Sequence, residues 1–219
     1  MNDSDIGLDG LECVWLKPAT LTESRMHYCP GCGHGVVHNV LMEAVEELGI
    51  QGETIGVAPV GCAVFAYQYM NIDMQEAAHG RAAAVATGVK RMLPEKYVFS
   101  YQGDGDLAAI GTAETIHAAN RGENILVVFI NNAIYGMTGG QMAPTTLIGM
   151  KTSTTPEGRT VDTQGFPFKI TELIATLPGA YYVTRQSVHT PNSVRQLKKA
   201  VMKSMQYQKE KKGYCLIEV

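Results

Sequence analysis

The sequence lacks the markers of several protein classes. Its five cysteines form an odd and sparse set, unlike the even, dense framework of a small secreted scaffold. The 18 Lys and Arg are outnumbered by 21 Asp and Glu, and only Lys209 to Lys212 is locally basic. Nucleic acid is therefore not expected as the main partner, because phosphate contacts need clustered Lys and Arg. No apolar run approaches the roughly 18 to 20 residues of a membrane span, and Met1 to Thr20 has no basic stretch leading into an apolar one. The expectation is no membrane association and a cytoplasmic location. Internal repeats and low-complexity linkers are missing too, which leaves one folded unit over residues 1–219, with residues 1–25 as an N-terminal extension.

What is present suffices for a core. The chain has 219 residues, 45% of them hydrophobic, and at this length folding buries roughly 70% of the surface. Neither metal nor disulfide is needed to hold such a fold, so a metal site here would serve chemistry. Cys13 and Cys215 sit among apolar neighbours and read as packing residues.

Hydrophobic periodicity predicts an α/β order. Val37, Val40, Leu41, Ala44, Val45 and Leu48 recur at helical spacing, with Gly49 as the C-terminal cap. Thr54 to Val60 reads as a buried strand that delivers Cys62 at its C-terminal end, and Gly80 to Leu93 as a helix stopped by Pro94. Tyr97 to Tyr101 is a strand, Gly103 to Asp106 a turn, Leu107 to Asn120 a helix and Ile125 to Ile130 a second strand. Strand, crossover helix and strand imply a parallel pair with a right-handed connection. Residues 131–166 show no period, and their Tyr135, Met137, Met142 and Leu147 suit an ordered cofactor or substrate loop. A helix over Lys169 to Thr176, a strand over Tyr181 to Thr184, a long helix capped by Thr190 with Pro191 in its first turn, and a strand over Tyr214 to Val219 complete the chain. The fold expected is a doubly wound, mostly parallel sheet whose ligands sit at the C-terminal strand ends.

The chemistry-bearing residues cluster at those ends. Gly103-Asp104-Gly105 follows one strand and Asn131-Asn132 follows the next, so both emerge on one sheet edge. A carboxylate and a carboxamide there are hard oxygen ligands suited to Mg²⁺, which shares its coordination with phosphates. The glycines beside Asp104 let backbone N–H groups approach a diphosphate, at which the next helix points its N-terminus. Gly-Asp-Gly alone is also an ordinary turn sequence. Cys29-Pro30-Gly31-Cys32 offers two thiolates, soft ligands for zinc or an iron–sulfur cluster, or two buried thiols at a turn.

The Gly-Asp-Gly followed one crossover later by Asn-Asn resembles the thiamine diphosphate motif. That resemblance implies that Asp104, Asn132 and the backbone carbonyl of Ile134 hold Mg²⁺. Cys29 to His34, Pro59 to Cys62, His79-Gly80-Arg81, Gly103 to Asp106 and Tyr135 to Gln141 occur in one order over most of the chain. Together they are similar to the β subunit of a 2-oxoacid:ferredoxin oxidoreductase, and Met137 to Thr146 looks closest to the 2-oxoisovalerate, branched-chain type. The family's cofactor-lining positions carry over to Val60, Gly61, Cys62, Ala63, Gly105, Asp106, Gly136 and Met137. His79 and Arg81 either reach the diphosphate or form a structural pair at a helix start.

By the same resemblance, Cys29, Cys32 and Cys62 are three of the four ligands of a [4Fe-4S] cluster. The family's fourth cysteine lies a few residues beyond the last strand, a position that Cys215 does not match, so either a truncated chain or an altered cluster is expected. The resemblance further implies oxidative decarboxylation of a 2-oxoacid to an acyl-CoA and CO₂, with electrons passed to ferredoxin. An α subunit would supply the activating glutamate, so no catalytic residue is assigned to this chain and it is expected to be inactive alone. Between Asn132 and Met150 there is no Lys or Arg, which favours an uncharged substrate side chain. Two other readings stay open: a non-oxidative thiamine-dependent decarboxylase or lyase subunit, and a zinc-stabilised nucleotide-binding or assembly module.

Overall fold

The computed structural model describes residues 15–219. Cys13 and most of the N-terminal extension lie outside them. Among the described residues there are eight strands and seven α-helices, and six of the strands form one parallel sheet in the order β2-β1-β3-β4-β8-β7. In chain order these are β1 (Thr54–Ala58), β2 (Asp73–Glu76), β3 (Tyr97–Gly103), β4 (Leu126–Ile130), β7 (Ala180–Arg185) and β8 (Tyr214–Glu218). The inner strands β4 and β8 are buried at every position, the continuous apolar pattern expected where helices cover both faces.

One face of the sheet is covered by α1 (His34–Glu47) and α7 (Pro191–Lys209), the other by α3 (Ala82–Met92), α4 (Thr112–Asn120) and α6 (Ile170–Ala175). The buried Leu197, Ala200, Val201, Ser204, Met205 and Gln208 of α7 recur at three- and four-residue spacing, as an amphipathic helix requires. Its start is fixed as the sequence suggests: Thr190 Oγ1 accepts from the Ser193 backbone N–H at 3.1 Å, and Pro191 occupies the first turn.

The connections place the site. From β1 the chain turns outward through the short α2 (Ala66–Tyr69) to the edge strand β2, whereas from β3 it crosses through α4 to β4. Adjacent strands whose connections leave in opposite directions open a crevice at their carboxyl ends, where ligands of doubly wound folds bind. Strand β2 is absent from the periodicity of the sequence because Asp73-Met74-Gln75-Glu76 is a largely exposed edge with no buried face to pattern.

Two further expectations change. The helix predicted over Leu107 to Asn120 is interrupted: Asp106–Ile110 winds as a wider five-residue π turn, and the α-helix begins at Thr112. Gly111 lies between, and a Cβ there would fall 2.7 Å from the Gly80 carbonyl and 2.9 Å from the Gly80 Cα. The glycine pair thus allows two backbones to touch, a tertiary contact that local propensity cannot register. Residues 131–166 carry structure of their own, with a hairpin of β5 (Ile134–Tyr135) and β6 (Gln141–Met142), the helical turn α5 (Val161–Gln164) and a bridge between Thr152 and Thr155. Arg159, 3% exposed, organises this segment: its guanidinium donates to the backbone carbonyls of Ala143, Pro144, Thr146, Gln164, Gly165 and Phe166.

Candidate functional site

Residues from several separate stretches of sequence meet in a cavity of about 320 Å³ at the carboxyl ends of β1, β3 and β4. Val60, Gly61, Cys62 and Ala63 come from the loop after β1, His79 precedes α3, Asp104, Gly105 and Asp106 follow β3, and Asn132, Ile134, Gly136 and Met137 follow β4. Of the positions that the sequence suggests for the cofactor, all but Arg81 line this one cavity. Arg81 does not line it; its Nη1 donates to the Gly80 and Ile110 carbonyls and pairs with Glu114 at 2.9 Å, a structural role at the start of α3.

Asp104 is the electrostatic centre. It is 4% exposed, and its oxygens accept from the Gly105 N–H at 2.8 Å and the Ile134 N–H at 3.0 Å. Among the described residues no Lys, Arg or His pairs with it. Burial pushes its carboxyl up to about 6, against the opposing pull of those backbone donors. A desolvated carboxylate with hydrogen bonds but no counter-charge fits a bound cation. Ala133, between Asn132 and Ile134, two of the three suggested Mg²⁺ positions, has φ +62°, a left-handed backbone that costs a non-glycine residue energy and is typical of functional loops.

Asp106 plays a different part from a simple lining residue. Its side chain is fully buried, and Oδ1 accepts from His79 Nδ1 at 2.7 Å, from the Gly80 N–H at 2.9 Å and from the Val60 N–H at 3.3 Å. Gln102 Nε2 donates to Oδ2 at 2.7 Å. One carboxylate therefore knits together the loops after β1 and before α3 with the end of β3.

Several lining residues are not marked out in the sequence reading. Tyr135, there only a member of the loop, packs so closely on Gly105 that a Cβ at Gly105 would lie 2.7 Å from the Tyr135 ring. His34 is also on the wall; its Nδ1 meets the Tyr101 hydroxyl at 3.0 Å and its ring stacks on Tyr28 at 4.5 Å. Its position directly after Cys32-Gly33 is the only local signal. Burial holds the His34 imidazole down to about 4 and that of His38, deeper in the same aromatic cluster, down to about 3.

The cysteines are brought together less completely. Cys29 is exposed, Cys32 and Cys62 are half-buried, and the Cys62 thiol is raised first by burial and then by the neighbouring Cys29 and Cys32. Among the described residues, however, no group of three or more His, Cys, Asp or Glu is arranged to hold a metal ion. Asp104 with an amide and a carbonyl is a different kind of donor set from such a group. Cys215 is buried near the start of β8, beside Ile125 at the opening of β4, while Val219 pairs with Phe129 and Asn131 at the cavity end. Four residues of strand put Cys215 about 13 Å from that end, so it is the packing residue that the sequence suggests and no ligand at the site. No helix among the described residues is long and apolar enough to cross a membrane.

Residues 59–219 match the family model of the thiamine pyrophosphate enzymes, C-terminal TPP-binding domain. The chain is 48% identical, over 96% of its length and 44% of the relative's, to ketoisovalerate oxidoreductase subunit VorA of Methanothermobacter marburgensis. It thus spans less than half of that protein. It is 41% identical to 2-oxoglutarate synthase subunit KorB of Methanocaldococcus jannaschii, over 88% of this chain and 67% of that one. Among solved structures it superposes with a TM-score of 0.77 and 28% identity on 2-oxoglutarate:ferredoxin oxidoreductase from Magnetococcus marinus, which has 2-oxoglutarate, coenzyme A and succinyl-CoA bound; the match covers 91% of this chain and 65% of that one. With the cavity, the buried Asp104 and the strand order all in agreement, the chain belongs to the thiamine pyrophosphate enzyme family, among the subunits of the 2-oxoacid:ferredoxin oxidoreductases.

Proposed function

We propose that the chain is the cofactor-binding part of a 2-oxoacid:ferredoxin oxidoreductase that converts a 2-oxoacid and coenzyme A to an acyl-CoA and CO₂. The observation that carries this reading is Asp104: a buried carboxylate without a counter-charge among the described residues, in the crevice where a doubly wound fold takes its ligand. Asp104, the Asn132 side chain and the Ile134 carbonyl would hold Mg²⁺. The backbone of Gly105 and of Val60 to Ala63, with His79, Gly136 and Met137, would receive thiamine diphosphate.

Thiamine diphosphate supplies the electron sink for decarboxylation. The chain's own residues bind and orient. Tyr135 closes over Gly105, Asp106 fixes His79, and Ile110, Ile130 and Ile134 make part of the wall apolar. The glutamate that activates the aminopyrimidine is expected on an α subunit. Cys29, Cys32 and Cys62 would be this chain's contribution to an iron–sulfur cluster, but the described residues do not complete a four-thiolate set and no step is assigned to it. Of the uncharged Thr138, Gln141 and Thr145 of the loop, Thr138 lines the cavity, and an uncharged wall favours a branched-chain oxoacid over one with a second carboxylate.

Anaerobic purification with its partner, followed by assay of thiamine, iron, acid-labile sulfide and zinc on one sample, tests the reading. Thiamine with iron and sulfide is the expected result. Thiamine without iron would replace it with a non-oxidative decarboxylase, and stoichiometric zinc without thiamine with an assembly module.

A further inference from the structure

A smaller cavity, of about 130 Å³, lies at the opposite edge of the sheet, where β3 begins and where α3 and α7 end. Four lysines line it, Lys90, Lys96, Lys209 and Lys211, with Glu95 as the one acidic group. Strand β3 runs from here to the cofactor cavity, and its seven residues set the two about 20 Å apart.

Lys90 is the unusual member. It is 7% exposed, and a lysine is almost never buried unless paired. Among the described residues it makes no ion pair. Of its three ammonium donors one is used, on the Lys96 carbonyl. Burial pulls the ammonium down to about 8, an effect that Glu95 opposes and Lys211 reinforces. The charged end of Lys90 therefore sits among the lining groups. Glu95 does not neutralise it, being paired with Lys211 at 3.0 Å. Attraction to the C-termini of α3 and α7 explains why lysines gather here, but the carbonyls at the end of α7 already have donors. Gln206 takes the Glu210 N–H, and Gln208 takes the Lys211 N–H and the Asn124 amide. The lysine side chains remain open to another acceptor.

Charge and space specify that acceptor. Lys96 pairs with Glu53 at 2.8 Å and Lys211 with Glu95 at 3.0 Å, while Lys90 and Lys209 have no carboxylate partner among the described residues. Two positive charges are left over around the cavity, and a ligand with two negative charges neutralises both. The volume is that of about four waters at roughly 30 Å³ each, which suits a compact anion and excludes a nucleotide. Acceptor oxygens must also face several ways, because the lysines come from α3, from the start of β3 and from the end of α7. A tetrahedral oxyanion meets all three requirements. Lys211 adds a further sign, holding a left-handed φ of 56° just after α7, where helices usually end in glycine and a lysine is kept at a cost in backbone energy. We propose that this cavity binds a small divalent oxyanion of the phosphate class, at a site separate from the cofactor cavity.

Inorganic phosphate is the probe, titrated into the full chain without Mg²⁺ at constant ionic strength and followed by backbone amide NMR. The expected dissociation constant is on the order of 1 mM for so small a ligand, with saturating shifts at Lys96, Tyr97, Lys209 and Lys211 that do not depend on any at Gly105 or Ile134. Sulfate is expected to produce the same shifts, and chloride or nitrate at equal ionic strength none. Lys90→Met keeps the stem and removes the charge, and is expected to weaken phosphate about tenfold or more. Lys209→Met, at an exposed position where folding is not at stake, is expected to weaken it about threefold, and Lys203→Met, on α7 outside the cavity, to change nothing. The same shifts with chloride, which would mean screening alone, shifts confined to the cofactor cavity, no binding, or undiminished binding in the Lys90 and Lys209 variants would overturn the proposal.

Discussion

Asp106 Oδ1 accepts a hydrogen bond from His79 Nδ1 at 2.7 Å, the carboxylate fully buried and the imidazole 42% exposed beside the cofactor cavity. Because the same carboxylate also receives the Gly80 and Val60 N–H groups and the Gln102 amide, it acts purely as an acceptor. The His79 proton must then sit on Nδ1, which leaves Nε2 as the nitrogen available to the cavity. Asp106 thus sets the orientation of His79 on the cavity wall.

Asp106→Asn replaces one acceptor oxygen with a donor that opposes at least one of those four groups. The expected cost is about 2–3 kcal/mol of stability, from the loss of buried hydrogen bonds to a charged group, read by denaturant titration. The imidazole ¹⁵N shifts of His79 are expected to move away from the Nδ1–H form. Unchanged shifts would show that Asp106 does not set the tautomer.

Asp104→Ala is expected to remove the response of the chain to Mg²⁺ with thiamine diphosphate. A ligand at 100 times its dissociation constant stabilises the folded state by about 2.7 kcal/mol, a rise in melting temperature that wild type shows and the variant lacks. Cofactor-dependent stabilisation that survives the substitution would refute the assigned cation site.

Arg159→Met leaves up to six backbone carbonyls of the 143–166 segment without their donor. Buried carbonyls stripped of partners make a loss of about 3 kcal/mol or more the expected outcome. Amide exchange is expected to quicken first within residues 143–166 and least in β4 and β8.

Below pH 6.5 the chain is expected to lose stability through His38. Burial lowers its folded value from 6.5 to about 3, with the rings of His34 and His27 opposing its charge, while Tyr28, Tyr69 and Tyr101 pack around it. The unfolded chain therefore binds the proton that the folded chain refuses, and stability falls as pH drops from 6.5 toward 3, by at most about 1.4 kcal/mol per unit. His38→Leu is expected to reduce that slope in urea titrations from pH 7 to 4, the remainder coming from His34. An unaltered slope would place the acid sensitivity elsewhere.

The sequence by itself determined the strand–helix–strand core and most of the residues that line the cavity at its end. Both are written in local patterns: unbroken apolar runs for β3 and β4, and glycine, aspartate and asparagine at their ends. Only the tertiary structure decided what those residues do to one another. That Asp106 grips His79, that Gly111 meets Gly80, and that Arg159 shapes a segment with no period of its own depend on contacts between stretches far apart in the chain. The edge strand β2 escaped for the opposite reason, having no buried face to leave a pattern. The strands' carboxyl ends were legible because they are adjacent in any parallel sheet. The partnering of polar groups across loops was not, because hydrogen bonds depend on distance and angle and leave no periodicity in the order of residues.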